Sequence, residues 1–276
     1  MVNFFYLDKD PKLCAQYYCD KHVNKILIEI LQILSQIHHN FEKKTPPYKK
    51  SSLISETLAP YVWASSSINN YKYCLSLAEE LLKEYKFRFE KDEHKCEKVI
   101  LWFKDNFPKS IKKKNRTKIK FTNNVKVYAE YFDDITAFRY VYVDFKCKSD
   151  KWTKRGKPSW FDSLSKKSEL EKKKLKDKIL ENVKVKLPDL SKKHNLKVRR
   201  FHSFLRICYD NLFNDKWDRK IKEMTNMFDP KKPLINQLGL GHLMKVYEIS
   251  NELFDIKKLE KLNNLSLKYR NKLVKK

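Results

Sequence analysis

The stretch of sequence that decides the fold is CDKHVNKILIEILQILSQI, residues 19–37. Its apolar residues recur at steps of three and four, the period of one helix face, and include Val23, Ile26, Leu27, Ile30, Leu31 and Leu34. Upstream, Asp10 followed by Pro11 is typical of a helix N-cap and first turn. We therefore predict one long helix from about residue 12 to 39.

Polar residues of the same helix form a second, narrow stripe. They follow one another at steps of three and four, which places them on one line of the helix: His22, Lys25, Glu29, Gln32 and Gln36. Apolar residues flank this line on both sides, so it is a candidate cleft wall whose side chains could share protons or hold an anion. The alternative is a narrow exposed edge with an ordinary Lys25–Glu29 pair.

The rest of the N-terminal half also has helical periodicity. Helical regions are predicted over about 57–90 and 93–106, and residues 109–126 are predicted to be a polar, basic loop. Residues 2–7 read as either a short strand or an extended lead-in. Residues 133–146 are rich in β-branched and aromatic side chains, which favours a strand, yet their spacing also fits a helix face, and we predict a helix.

The fold class is predicted to be mainly α, in three parts. An N-terminal helical domain covers 1–163, a basic helical linker covers 164–197, and a smaller helical bundle covers 198–276. The linker is recognised by its composition, because residues 164–200 carry 14 Lys plus Arg against five Asp plus Glu and few aromatics. Beyond it, aromatic residues and helical leucine spacing return.

Net charge gives the first indication of a partner. The chain has 276 residues, with 61 Lys plus Arg against 34 Asp plus Glu, a net charge of +27. Such an excess repels itself unless a polyanion neutralises it, which predicts DNA or RNA as the partner. An AT-rich genome would also raise the lysine content, but it would not cluster the charge. Without a long apolar run or a signal peptide, we expect neither a membrane protein nor a secreted one.

Positive charge is concentrated in residues 104–126, which carry nine Lys or Arg and one Asp, a net +8. Aromatic side chains at Phe107, Phe121 and Tyr128 lie within or beside it and could stack on bases. The alternative is an ordinary solvated loop. The predicted nucleic-acid contacts are Lys109, Lys112, Lys113, Lys114, Arg116, Lys118 and Lys120, together with Arg139, Arg155, Arg199 and Arg200.

The six cysteines contain no CxxC pair, which argues against zinc ribbons and thioredoxin-like redox sites. Cys14, Cys19 and His22 could touch a metal, but buried thiols on a helix are the commoner use of such residues. Two aspartates of the group Asp8, Asp10 and Asp20 could likewise bind a divalent ion, although capping and turn formation are commoner. We therefore predict no metal site, no cofactor and reduced cysteines.

Motifs over about residues 2–161 resemble a family from tailed phages and large DNA viruses. They occur in this order: Asp8-x-Asp10-Pro11, Cys19-Asp-Lys-His-Val23, Asn70-Tyr71, Glu84-Tyr85-x-x-Arg88, Arg139-Tyr140 and Trp152…Pro158-x-Trp160-Phe161. The resemblance implies a role in viral DNA metabolism, including a glycosylase-like repair activity. One departure is Tyr17-Tyr18, where the family frequently has Tyr-His, and it weakens the case for a catalytic histidine there.

A second resemblance lies near the C-terminal end. Residues 233–246 (PLINQLGLGHLMKV), followed by 249–253 and 262–273, are similar to the N-terminal helical domain of transcription elongation factor TFIIS. That similarity implies a helical bundle that binds short motifs of the transcription machinery. Two alternatives stay open for Leu238–Gly241, a phosphate-binding helix-hairpin-helix turn and a plain helix–helix turn in which glycine supplies a positive φ.

Three functional hypotheses follow. The first is a nucleic-acid-binding viral protein that acts in viral DNA metabolism or transcription, in the host cytoplasm or nucleus or in the virion. The alternative is a DNA-modifying or repair enzyme with catalytic candidates His22, Lys25, Glu29, Glu84 and Arg88. The third is a structural protein packaged with the genome. The sequence contains none of four common catalytic motifs: the P-loop, GxGxxG, HExxH and GxSxG. It therefore gives no support to a kinase, a Rossmann dehydrogenase, a zincin or an α/β-hydrolase.

Overall fold

The computed structural model describes residues 4–120, 122–147, 151–186 and 237–252. Within these ranges the protein is helical and has no β-strand, which confirms the mainly α prediction. The helices are α1 (Pro11–Tyr17), α2 (Asp20–Phe41), α3 (Ala59–Ser65), α4 (Ile68–Phe89), α5 (Cys96–Asp105), α6 (Asn123–Tyr128), α7 (Asp134–Val141), a π-helix (Tyr142–Lys146), α8 (Ser159–Lys186) and α9 (Leu240–Glu252).

The core of the N-terminal part lies between α2 and α4, two helices of 22 residues each. The apolar face of α2 is buried, including Ile26, Leu27 and Leu34. Across from it, α4 buries Leu77 and Leu81. Because each fully buried Leu or Ile contributes roughly 1.5–3 kcal/mol relative to an exposed one, this helix pair supplies a large part of the driving force for folding.

The single helix predicted over 12–39 is in fact two helices. The chain is extended at Tyr18 and Cys19, where ψ is 136° and 160°, so α1 ends before α2 begins. As predicted, Asp10 caps α1, since its Oδ1 accepts the backbone N–H of Lys12 at 2.8 Å. The break leaves carbonyl groups at the end of α1 without helical partners, and side chains distant in sequence must satisfy them.

The strand option for residues 2–7 is wrong over the described part, 4–7, which is extended but belongs to no sheet. A tyrosine side chain replaces the missing strand partner. The hydroxyl of Tyr18 accepts the backbone N–H of Phe5 at 2.6 Å and donates to the carbonyl oxygen of the same residue at 2.6 Å. Phe5 can therefore be buried without a β-ladder, because both of its polar backbone groups have partners.

Residues 133–146 are helical, as predicted, but in two forms. Helix α7 begins at its N-cap Asp133, whose carboxylate accepts the N–H groups of Ile135 and Thr136. It then widens into the π-helix, where the N–H of Cys147 donates to the carbonyl oxygen of Tyr142 at 3.0 Å, five residues back. Single π-turns of this kind occur often at functional sites.

The chain divides into two compact units, Met1–Ser165 and Lys166–Lys276. Of the helical bundle predicted over 198–276, the structure describes residues 237–252, and residues 198–236 and 253–276 lie outside the described residues. The idea that glycine supplies a positive φ in this turn is wrong, because no glycine in the described part of the chain has one. None of the described helices is long and apolar enough to cross a membrane.

One buried histidine links stability to pH. The side chain of His38 on α2 is 2% exposed, its ring centroid lies 5.0 Å from that of Trp102, and its Nε2 lies 2.9 Å from the hydroxyl of Tyr71. Burial lowers the pKa of His38 from 6.5 to about 4, although the carboxylate of Glu42 opposes the shift. The imidazole is therefore neutral in the folded protein at pH values where the unfolded chain already binds a proton.

This pKa shift predicts that acid destabilises the protein well above the pKa of His38. As pH falls below 6.5 the unfolded state takes up a proton that the folded state rejects, until pH approaches 4. The His38 contribution to the loss between pH 7.5 and 5 should be about 2 kcal/mol. The measurement is urea unfolding of wild type and of His38→Gln at pH 7.5 and at pH 5. The contribution of His38 is the difference between the two proteins in how far the free energy of unfolding falls from pH 7.5 to pH 5. Equal pH dependences would contradict this role.

Candidate functional site

Four buried side chains meet where α2 begins and the π-helix ends. We call them the Cys–His cluster: Cys19, His22, Tyr142 and Cys147. The Nδ1 of His22 lies 3.0 Å from the Sγ of Cys19 and 2.8 Å from the hydroxyl oxygen of Tyr142. The same hydroxyl donates to the Sγ of Cys19 at 3.2 Å and accepts its backbone N–H at 2.9 Å. The cluster thus joins residues about 120 positions apart.

Local backbone geometry places these side chains. Cys19 is the extended residue that precedes α2, and His22 lies one turn into that helix. Cys147 follows the π-helix and brings a second thiol to the first. Hydrogen bonding from Cys147 lowers the pKa of the Cys19 thiol to about 5, with further help from His22 and Tyr142 and against the opposing effect of burial. The cluster therefore favours a thiolate at Cys19.

The middle of the predicted polar stripe reaches the protein surface. Lys25 is 58% exposed, Glu29 is 13% exposed, and their side chains form an ion pair with a separation of 3.9 Å. Lys146 of the π-helix joins them. Its pKa lies below the ordinary value because its ammonium group is partly desolvated and faces Lys25, while the Glu29 carboxylate opposes the shift.

The two ends of the stripe differ from this middle. At one end, His22 is buried within the Cys–His cluster. At the other, Gln36 is buried and accepts the backbone N–H of Ser51 at 3.0 Å, so it holds a loop against α2. The stripe is therefore not one continuous wall, and only its first half, from His22 to Glu29, could carry chemistry.

Glu84 and Arg88, the other two catalytic candidates, form a buried ion network. All three guanidinium nitrogens of Arg88 are engaged: Nε donates to Glu84 at 2.9 Å, Nη1 to the carbonyl oxygen of Tyr18 at 2.7 Å, and Nη2 to that of Gln16 at 2.9 Å. Nη1 also lies 3.2 Å from a carboxylate oxygen of Asp20. This arrangement gives Arg88 and Glu84 a structural role at the α1–α2 break.

The network extends to the segment after the π-helix. Glu84 also accepts from Nη2 of Arg155 at 2.6 Å, and the carboxylate of Asp20 accepts the backbone N–H and hydroxyl of Thr153. Because Arg155 is committed to Glu84, it is a poor candidate for the predicted phosphate contact. The same holds for Arg139, which donates to the carbonyl oxygen of Leu7 at 2.9 Å and pairs with Asp8 at 3.1 Å.

Removal of Arg88 should therefore destabilise the protein strongly. Arg88→Ala leaves buried carbonyls and carboxylates without their donor, so we expect a loss of about 3–5 kcal/mol in the free energy of unfolding, measured in urea. The matched control is Lys83→Ala, which breaks the exposed pair with Glu80 and should cost at most about 0.5 kcal/mol. A loss below about 1 kcal/mol for Arg88→Ala would contradict the structural role.

The basic segment, residues 109–120, is exposed but fixed in place. The carbonyl oxygen of Lys113 accepts the first N–H of α4, from Ile68, at 2.8 Å. The neighbouring carbonyl of Lys114 accepts the hydroxyl of Ser67, the N-cap of α4, at 3.1 Å. The backbone of the segment therefore lies along the beginning of α4, and its side chains project from it.

A second anchor lies a few residues further along. The carbonyl oxygen of Thr117 accepts the indole N–H of Trp63 at 3.0 Å. Asn70 accepts the backbone N–H of Thr117 at 3.1 Å and donates to its hydroxyl at 2.6 Å. Since Trp63 and Asn70 are both fully or almost fully buried, this anchor is part of the core.

All seven cations predicted in this segment are exposed: Lys109, Lys112, Lys113, Lys114, Arg116, Lys118 and Lys120. Two of them have partners, since Arg116 stacks over the ring of Tyr73 at 4.3 Å and Lys118 lies 3.8 Å from Asp134. Among the described residues, the ammonium groups of Lys112 to Lys114 form no ion pair. Arg199 and Arg200 lie outside the described residues.

The aromatic side chains predicted to stack on bases behave differently. Tyr128 is fully buried and donates to Asp144 at 2.5 Å, so it is wrong as a stacking residue. Phe107 is 40% exposed and keeps this role as a prediction, and Phe121 lies outside the described residues.

A cleft of about 430 Å³ opens beside the segment and is lined by Tyr6, Lys9, Trp63, Arg116, Thr117, Lys118, Ile119, Asp133, Asp134 and Ile135.

Sequence reasoning missed Tyr142, Lys146 and Cys147. The signal that could have found the first two was the mixed strand-and-helix character of 133–146, which is where the π-helix forms. Cys147 gave no local signal, because its pairing with Cys19 depends on a backbone turn that no spacing rule predicts.

No protein-family model, curated protein or solved structure matches this chain. The viral-family and TFIIS resemblances therefore stay predictions.

Proposed function

We propose that this protein binds nucleic acid through the basic segment and acts in viral DNA metabolism or transcription. The observation that carries the proposal is a row of exposed cations whose backbone is hydrogen-bonded to the beginning of α4. Lys112, Lys113 and Lys114 have no carboxylate partner among the described residues, and the chain that carries them is hydrogen-bonded to Ser67 and Ile68. Such a row can neutralise phosphates without first breaking ion pairs.

Anchoring also lowers the entropy cost of binding. A free loop would lose backbone freedom, at about 1–2 kcal/mol per residue, when it docks on a polyanion. Here Thr117 and Lys113 are already fixed by core residues, so binding orders mainly the lysine side chains. Lys118 contributes less, because Asp134 already neutralises part of its charge. We therefore assign the main phosphate contacts to Lys112–Lys114.

The test is the salt dependence of binding to a labelled DNA duplex and to a single-stranded RNA. Replacing Lys112, Lys113 and Lys114 together by Gln should weaken binding. On duplex DNA, it should also reduce the slope of log K against log salt by up to about 2.7, since each phosphate contact contributes about 0.9 to that slope. The control replaces Lys91, Lys95 and Lys98 by Gln, three exposed lysines with the same summed charge. Equal slopes for the two triple variants would overturn the proposal, as would absence of binding at low salt.

A second candidate function is an enzyme that acts on DNA bases. What favours it is the influence of the charges of Lys25 and Glu29, an ion pair on α2, on the exposed Lys146 of the π-helix. A lysine with a lowered pKa has more of its amine in the neutral, nucleophilic form, which glycosylases of the lyase type use to attack C1′ of a sugar. In that role Lys146 is the nucleophile and Glu29 the proton acceptor.

Borohydride trapping on DNA with an abasic site tests this candidate. The amine of Lys146 would add to the C1′ aldehyde, expel water to form a Schiff base, and be reduced by borohydride to a stable amine. Lys146→Arg should lower the covalent yield at least tenfold, because a guanidinium stays protonated. Lys126→Arg, at an exposed position of α6, is the control and should react like wild type. A wild-type protein that forms no adduct would rule the candidate out.

A further inference from the structure

The structure assigns a metal site to the Cys–His cluster: we propose that Cys19, His22 and Cys147 bind one thiophilic divalent metal ion, of which zinc is the prototype. Their ligand atoms, two Sγ and one imidazole nitrogen, all lie within 4.8 Å of one another. All three residues are buried. Thiolate and imidazole are the donors that zinc prefers, and two cysteines with one histidine form a three-ligand set that leaves a fourth position open.

The distances between these donors fit a tetrahedral ion after small side-chain movements. Zinc–sulfur bonds of about 2.3 Å and zinc–nitrogen bonds of about 2.0–2.1 Å imply donor–donor distances of roughly 3.5–3.8 Å. The Sγ of Cys19 lies 3.0 Å from the Nδ1 of His22 and would move out by about half an ångström, while the other donor atoms, all within 4.8 Å of one another, need to move by about 1 Å at most to shorten these separations. Rotation about the side-chain torsions covers movements of this size, and helix α2 and the π-helix stay in place.

Tyr142 lies beside the three ligands and orients them. Its hydroxyl oxygen lies 2.8 Å from the Nδ1 of His22 and 3.2 Å from the Sγ of Cys19, and the backbone N–H of Cys19 donates to it. It is thus an oxygen that faces two of the three ligands and is held there by the backbone. Its role is that of the group that orients the two nearest ligands, and loss of such groups typically weakens metal binding 10–100-fold.

The sequence led us to predict no metal site, and the set that we weighed, Cys14, Cys19 and His22, is not the set that meets in the structure. Cys14, which the spacing groups with Cys19 and His22, donates to the carbonyl oxygen of Phe5 at 3.4 Å, and the π-helix brings in Cys147 instead. Both sulfurs bind the ion as thiolates, and a sulfur that still carries its proton releases it to solvent as the metal bond forms. The ion would connect residues 19 and 147, so it would fix the π-helix to α2.

The test uses the full-length protein, treated with a reductant and a chelator and then titrated with cobalt(II). We expect one cobalt per chain, an intense thiolate-to-cobalt charge-transfer band with tetrahedral d–d bands, and displacement of both by zinc. Cys19→Ala and Cys147→Ala should each lower the affinity by roughly 100-fold or more, and Tyr142→Phe by about 10–100-fold. Cys74→Ala is the matched control, since Cys74 is a buried thiol outside the cluster, and should leave the spectrum unchanged.

Two further results decide the matter if an alanine variant fails to fold. X-ray absorption of the zinc-loaded wild type should show two sulfur and two nitrogen or oxygen neighbours. Native mass spectrometry should show one zinc per chain. The proposal is overturned if the reduced wild type takes up no metal, if the charge-transfer band survives in Cys147→Ala, or if the cluster's only chemistry is a Cys19–Cys147 disulfide. Nucleic-acid binding plays no part in these readouts.

Discussion

The buried guanidinium of Arg88 is the interaction on which the arrangement of the first helices depends. A charge taken out of water costs several kcal/mol unless it is paired and fully hydrogen-bonded. Arg88 meets that condition only where the end of α1, the beginning of α2 and the C-terminal end of α4 come together. The break between α1 and α2 is therefore stabilised from outside, by a residue of α4. That break also fixes the extended conformation of Cys19 and so the position of His22.

Two buried tyrosines also stabilise the irregular backbone around this break, through hydrogen bonds from their hydroxyl groups. Tyr18 satisfies both polar backbone groups of Phe5, and Tyr142 satisfies the N–H of Cys19. Burial raises the pKa of both phenols well above 10, so each keeps the proton that it donates. Extended and π-helical segments are otherwise costly to bury, because their backbone groups lack regular partners. The Cys–His cluster exists at this place because phenols provide those partners.

The predictable features are those that depend on local periodicity or on the cost of burying charge. The apolar face of α2 and the exposure of the lysines at 109–120 follow from these two rules. The break at Tyr18 was not predictable, because the residue that stabilises it lies 70 positions away. The burial of His22 was hidden for the same reason, since its partner Tyr142 lies 120 positions away. Long-range polar contacts leave no periodic trace in a single sequence.

In the described part of the chain, three arginines and three lysines use their positive charge in different ways. The planar guanidinium groups of Arg88, Arg139 and Arg155 each bind a carboxylate, and the first two also bind carbonyl oxygens. Lys112 to Lys114 instead present flexible ammonium groups to solvent. Base edges are read mainly by bidentate side chains, whereas point charges neutralise phosphates whatever the sequence. If the proposed function holds, the basic segment therefore favours binding that follows the backbone of the nucleic acid and is tolerant of base sequence.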